Sequence, residues 1–319
     1  MNLKPYHDVI HNGCTKRRIK KVVNMWRIEL KHAVNWELKM KFFVLPELPT
    51  PDVVESGVWR RAIVLDGRAV AVMAYPESER TIVVEGNFEN REWEAVRRKL
   101  VEYLGLQNPE ELYRFMDGDE KLRMLKNRFY GFGRAGLMSM SVFEGIAKAI
   151  IQQQISFVVA EKLAAKIVGR FGDEVEWNGL KFYGFPTQEA ILKAGVEGLR
   201  ECGLSRRKAE LIVEIAKEEN LEELKEWGEE EAYEYLTSFK GIGRWTAELV
   251  LSMALGKNVF PADDLGVRRA VSRLYFNGEI QSAEKVREIA RERFGRFARD
   301  ILFYLFLYDR FFSKKTELV

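Results

Sequence analysis

Apolar and polar residues recur along this chain with two different periods, and the change falls near residue 90. Before it, short runs rich in β-branched and aromatic residues alternate with polar positions at residues 26–31, 38–45, 59–65, 68–75 and 81–85, the pattern of half-buried strands. Asp66-Gly67 stands between two of these runs. A two-residue hairpin turn needs positive φ, which glycine adopts without steric cost, so this pair predicts a hairpin and an antiparallel sheet. After residue 90 apolar positions follow helical spacing to the end. Helices are expected over residues 92–104, 109–116 and 120–127, then over 142–171 with an interruption at the three glutamines Gln152, Gln153 and Gln154. Further helices are expected at 187–194, 197–202, 205–218, 229–239, 244–255, 265–274, 283–294 and 299–311. The fold class that follows is α+β, with an antiparallel β-rich domain over residues 26–105 and an all-α body over 106–319. Residues 1–25 carry Lys16, Arg17, Arg18, Lys20 and Lys21 without a period, and read as a basic, solvated tail.

Composition narrows the classes. With 319 residues, 47% hydrophobic and 31% charged, the chain is globular and long enough for two or three domains. A net charge of +3 is too small to require a polyanionic partner, so the placement of charge must decide. Two cysteines and three histidines cannot assemble a zinc site of the usual spacing or an iron–sulfur cluster, and neither is expected. No run of 18 apolar residues occurs and no charged-then-apolar leader opens the chain, so a soluble cytoplasmic protein without a membrane partner is expected.

Two features carry chemistry. Gly241 and Gly243 sit between two helix-length amphipathic runs, where the chain must reverse. A helix that starts at such a turn leaves backbone N–H groups unpaired, and with the helix dipole these suit a phosphate, although an αα-hairpin that only packs would use the same glycines. Gly241, Ile242, Gly243 and Arg244 are therefore the first candidates for DNA backbone contact, with Arg206 and Lys208 of a second turn after them. Some twenty residues on, Asp263 and Asp264 follow Pro261 at the mouth of a predicted helix. One aspartate can cap that helix; the second invites a catalytic reading.

At these positions the sequence resembles the helix-hairpin-helix, Gly/Pro-rich-loop, aspartate superfamily of DNA glycosylases. The resemblance runs from about residue 129 to 311 and rests on four ordered motifs: Val142-Phe-Glu-Gly with Ile150-Ile-Gln-Gln-Gln-Ile-Ser156, Gly203-Leu-Ser-Arg-Arg-Lys-Ala209, Lys240-Gly-Ile-Gly-Arg-Trp-Thr-Ala247, and Pro261-Ala-Asp-Asp264. It implies that Asp264, five residues before Arg269, is the catalytic acid, and that Gln153 and Gln154 lie where the family inserts a wedge into the duplex. Members that also cleave the backbone carry a Schiff-base lysine two residues after the second hairpin glycine. Here that position is Trp245, so a monofunctional enzyme with no lyase step is implied. Trp245 and the β-rich first domain bring the chain nearest to the AlkA-type, 3-methyladenine branch, whose N-terminal domain is TBP-like. Trp245 and Phe297 are the pocket candidates by family position, although Ala298 and Arg299 depart from the family's aromatic-Arg-Ser pattern. No cofactor is implied for catalysis. The carbonyls of Phe239 and Ile242 occupy the positions that hold a structural sodium or potassium ion in the family. The implied partner is damaged double-stranded DNA, bound by a monomer associated with the nucleoid. An 8-oxoguanine or hypoxanthine glycosylase on the same scaffold is the alternative, and a non-catalytic hairpin module the more distant one.

Overall fold

The computed structural model describes residues 25–316, with side chains to Phe311; the basic tail expected at residues 1–25 lies outside them but for Met25. Five strands, β1 (Met25–Glu29), β2 (Val53–Glu55), β3 (Val58–Leu65), β4 (Arg68–Ser78) and β5 (Thr81–Gly86), form one antiparallel sheet in the order β1-β5-β4-β3-β2. Asp66 and Gly67, at φ 46° and 79°, close the β3–β4 hairpin as their sequence predicts. On one face Trp59, Ile63, Val70, Val72, Ala74, Ile82 and Val84 point at Val96, Leu100 and Tyr103 of the helix Trp93–Tyr103, making the first core. A separate, larger core fills the helical body, where Ile301, Leu302, Tyr304 and Leu305 of the last helix, Ala298–Thr316, are fully buried.

Two segments depart from the expected pattern. Residues 38–45 form no strand: the Asn35 side chain accepts from Leu38 N at 3.0 Å and starts the short helix Trp36–Met40. Leu38 joins the core of the body while Trp36 and Met40 join that of the sheet, so one turn of helix wedged between two cores mimics strand alternation. The all-α expectation for the body also fails once. Strands β6 (Glu174–Trp177) and β7 (Leu180–Tyr183) form a hairpin about Asn178 and Gly179, at φ 51° and 77°. Its Phe182 packs on Val58, Ala62, Ala71 and Met73, covering the second face of the sheet. The Asn-Gly signal for this turn was present in the sequence.

Elsewhere the breaks fall as the pattern predicts. The glutamines separate the helices Val142–Gln152 and Phe157–Phe171, and Gly195, at φ 63° and ψ −175°, divides the stretch Gln188–Glu201.

Charge joins the two units. Arg61 of β3, 2% exposed, donates to Asp52 Oδ2 at 3.3 Å and to Glu144 Oε2 at 2.5 Å, on the helix Val142–Gln152. Tyr103 Oη and Trp59 Nε1 both donate to Asp52 at 2.7 Å. Burial works against the guanidinium charge, but the Glu144 and Asp52 carboxylates outweigh it and raise the Arg61 pKa. Nearby Lys39 is buried with only carbonyl acceptors, Gly105 O at 3.0 Å and Arg134 O at 3.3 Å, and burial pulls its pKa down to about 7.

Candidate active site

Between sheet and body runs a cleft of about 2790 Å³. Asp264 and Trp245 open onto it from two different helices, together with Gln153 and Gln154, and an aromatic wall forms around Phe42, Phe157 and Phe306. The local sequence explains how the acid reaches this position. Asp264, at φ −68° and ψ 127°, is the N-cap of the helix Leu265–Tyr275, and its Oδ1 accepts from Val267 N at 3.0 Å. Capping thus uses one carboxylate oxygen. The other, Oδ2, accepts from the Trp245 indole N–H at 3.1 Å, and both residues line the cleft. Asp263 behaves differently: it is exposed and paired with Arg287 at 2.7 Å, an ion pair that also engages Glu248. The two adjacent acids are therefore separated by geometry.

The hairpin turn stands beside the acid. The helix Arg244–Met253 begins at Gly243 without a side-chain cap. Gly241 has φ 121°, a left-handed conformation that favours glycine, and a Cβ there would press on Leu211 at 3.1 Å. Gly243 is different: its backbone is extended, at φ −95° and ψ −179°, and a Cβ would meet nothing within 4 Å. Only open space lies before the helix start. Arg244 is exposed alongside, 3.9 Å from Glu248, and its pKa is raised by a hydrogen bond to Tyr233.

Several sequence candidates take other roles. Phe297 is not a pocket residue: it is 3% exposed, packed on Phe115 at 5.0 Å and flanked by the Arg134 and Arg296 guanidinia. Its partner ring, Phe115, belongs to the helix Glu110–Met116. Gln153 and Gln154 part company. Gln153 donates to Gly241 O at 2.9 Å and Thr246 Oγ1 at 3.1 Å, tying its loop to the hairpin, whereas Gln154 is exposed at φ 57°. Both line the cleft, Gln153 part-buried and Gln154 exposed. Lys208 is not a free phosphate contact, since its ammonium donates to Ile151 O at 2.8 Å and Gln153 O at 2.6 Å and so caps the helix before the glutamine loop. Burial lowers its pKa. Arg206 is exposed and shared between Glu197 at 2.9 Å and Glu210 at 3.8 Å. The Phe239 carbonyl accepts from Ile242 N at 3.0 Å, and Ile242 itself is buried. Among the described residues no three His, Cys, Asp or Glu side chains gather as a metal site.

The wall of the cleft escaped the sequence reading. Phe42 comes from the turn after the first helix, Phe157 from the start of the helix after the glutamines, and Phe306 from the last helix. Arg310 fixes Phe42 by donating to Lys41 O and Phe42 O, while Phe42 stacks on Phe303 at 4.9 Å. Among the many aromatics of these segments, nothing local separates those that face the cleft from those that face the core.

An uncapped hairpin helix, a carboxylate at the next helix mouth and an aromatic cleft, carried on a helical body with an antiparallel sheet, define a base-excision type of DNA repair protein. The comparisons agree: residues 147–296 match the HhH-GPD superfamily of base excision DNA repair proteins, and residues 25–108 match an AfAlkA-like, TATA-box binding protein-like domain. The chain thus carries an HhH-GPD domain behind an AlkA-like, TBP-like domain. Among curated relatives it is 29% identical over 204 residues to a DNA-3-methyladenine glycosylase of Bacillus subtilis, covering 62% of this chain and 67% of the relative. Among solved structures it is similar to the Clostridium acetobutylicum 8-oxoguanine glycosylase/lyase on double-stranded DNA, with TM-score 0.70 and 22% identity over 91% of this chain and 99% of that one. At that identity the likeness concerns the fold. The Schizosaccharomyces pombe 3-methyladenine DNA glycosylase with abasic DNA matches at TM-score 0.51 and 27% identity, covering 61% of this chain and 95% of the other. Among the described residues no helix is long and apolar enough to cross a membrane.

Proposed function

We propose that this protein is a monofunctional DNA glycosylase of base excision repair, which extrudes an alkylated purine of the 3-methyladenine type from duplex DNA and hydrolyses its N-glycosidic bond. The observation that carries this reading is Asp264, fixed by two donors at a helix mouth where it lines an aromatic-walled cleft next to an uncapped hairpin helix. The relatives named for 3-methyladenine support the substrate class.

A base within the stack is out of reach, so the nucleotide must leave the helix and the gap must be held open. Gln154, exposed beside the cleft, is suited to that gap. As the glycosidic bond breaks, its electron pair leaves with the base and positive charge develops on the sugar, where the Asp264 carboxylate stabilises it and water completes the hydrolysis. An alkylated purine already carries positive charge, which weakens the bond and draws the base to aromatic faces such as Phe42, Phe157 and Phe306. Backbone contacts at Gly241, Ile242, Gly243 and Arg244 would supply affinity for damaged double-stranded DNA, bound by a monomer. Phe239 and Ile242 carbonyls would hold a monovalent ion there, adding positive charge at the phosphate. No lyase step is included, because Trp245 has no amine and, among the described residues, the two lysines lining the cleft are engaged: Lys41 with Glu37 at 2.7 Å and Lys208 with carbonyls.

The test is base release from duplexes carrying 3-methyladenine, 7-methylguanine, hypoxanthine or 8-oxoguanine in turn, each repeated with borohydride. Release of the methylated purines without a trapped protein–DNA adduct is expected. Preferential release of 8-oxoguanine or hypoxanthine would replace the substrate class, and a trapped adduct would overturn the monofunctional reading. Gly243→Leu tests the hairpin. Its backbone and surroundings accept a side chain, so the stability cost should be confined to the poorer helix cap, about 0.5–2 kcal/mol, while binding weakens alike for every duplex. A loss confined to one lesion would argue against the phosphate role.

A further inference from the structure

We propose that Trp245 is a positioning residue for Asp264, its indole N–H setting the plane of the carboxylate; this rests on the reading of Asp264 as the acid. The family position of Trp245 suggests a pocket wall, but the polar edge of its ring is committed elsewhere. Asp264 has two oxygens and two donors of different origin. Val267 N–H, from the first turn of the acid's own helix, meets Oδ1 at 3.0 Å, and the Trp245 indole, from the helix that begins at the hairpin, meets Oδ2 at 3.1 Å. A backbone cap alone fixes one oxygen and leaves the second free to swing about the side-chain torsion, which is broad for a carboxylate. The second donor removes that freedom, and hydrogen bonds to charged groups are the stronger kind. Residue 266 is a glycine beside the same group: a Cβ there would stand 3.1 Å from Oδ1, so the first oxygen is approached closely only because no side chain intervenes.

The indole is itself held. Trp245 is half-buried in the second position of its helix, and the adjoining Thr246 Oγ1 and Gly241 O both accept from Gln153 Nε2, at 3.1 and 2.9 Å. Gln153 O in turn accepts from Lys208 Nζ at 2.6 Å. Glutamine loop, hairpin, indole and acid thus form one hydrogen-bonded assembly, in which the helix offered to a DNA phosphate is the helix that orients the carboxylate. The glutamine and lysine that sequence reasoning assigned to DNA serve this assembly instead.

The contact is tested first in the free protein, without DNA. In the ¹H–¹⁵N spectrum the indole resonance removed by Trp245→Phe is expected to move upfield in Asp264→Asn; if it stays in place, the proposal falls whatever the enzyme acts on. Catalysis gives the second arm. With a duplex that the wild type cleaves, Trp245→Phe keeps an aromatic ring but loses the donor, and should lower kcat about ten- to hundred-fold with KM nearly unchanged. Benzothienylalanine at 245, which keeps the full ring shape with sulfur in place of N–H, should behave in the same way. A rise in KM with kcat intact would make Trp245 a wall of the pocket only and overturn the positioning role. Should the wild type release no base from any duplex, the glycosylase reading fails, and the spectrum still decides the contact.

Discussion

Asp264→Asn is expected to lower base release by at least about 10²–10³-fold, the scale on which removal of one electrostatic contact to a developing charge is felt. The substitution is nearly isosteric. The amide would keep a carbonyl oxygen for the Val267 N–H, and asparagine is as good an N-cap as aspartate, so the helix Leu265–Tyr275 should hold its start. What disappears is the negative charge at the cleft. Binding to a duplex with an abasic site should therefore persist, because the hairpin and the aromatic wall are untouched, and the pair of measurements separates chemistry from recognition. Full retention of base release would end the assignment of Asp264 as the acid. Parallel loss of abasic-site binding would show that the carboxylate supports the structure of the cleft instead. Asp263→Asn serves as the matched control: it weakens a partly exposed ion pair with Arg287 and should leave base release nearly unchanged.

Arg61→Leu should cost stability on the order of 3–5 kcal/mol, because it strands two carboxylates, Asp52 and Glu144, that are each 1% exposed. Partners remain for each: Tyr103 and Trp59 for Asp52, the Met140 N–H for Glu144 at 2.9 Å. None carries a compensating charge. Urea unfolding read by tryptophan fluorescence measures the loss, and a midpoint equal to the wild type's would mean that the network contributes nothing. The same principle makes a second demand. Replacing Arg61, Asp52 and Glu144 together by apolar residues of matched volume removes the buried charges but strands the Trp59, Tyr103 and Met140 donors, so it should recover only part of the loss. This network joins the sheet to the helix that leads to the glutamine loop. Glu144 lies in the first turn of the helix Val142–Gln152, and that helix ends at Gln153, which braces the hairpin.

Much of the architecture was legible because it depends on local devices. The Asp66-Gly67 turn demands positive φ whatever surrounds it, and the helices of the body announce themselves by their period. The Asn178-Gly179 turn was equally legible and went unread inside a helical context, and the helix at Trp36–Met40 imitated a strand because it serves two cores. For the site, the family resemblance singled out Asp264 and Trp245, but a resemblance in sequence says nothing of which atoms meet.

The sequence by itself determined that a two-glycine turn between helices, an acid at a helix mouth and no amine at position 245 occur in one chain, because each is a property of a few consecutive residues. Only the tertiary structure decided that Asp264 meets the Trp245 indole while Asp263 pairs with Arg287, that Phe297 is core while Phe42, Phe157 and Phe306 are wall, and that Gln153 and Lys208 brace the hairpin. The physical reason is reach: a buried aromatic and a cleft-lining one have the same chemistry, and a lysine or glutamine finds whichever carbonyl or phosphate the fold brings within about 3 Å.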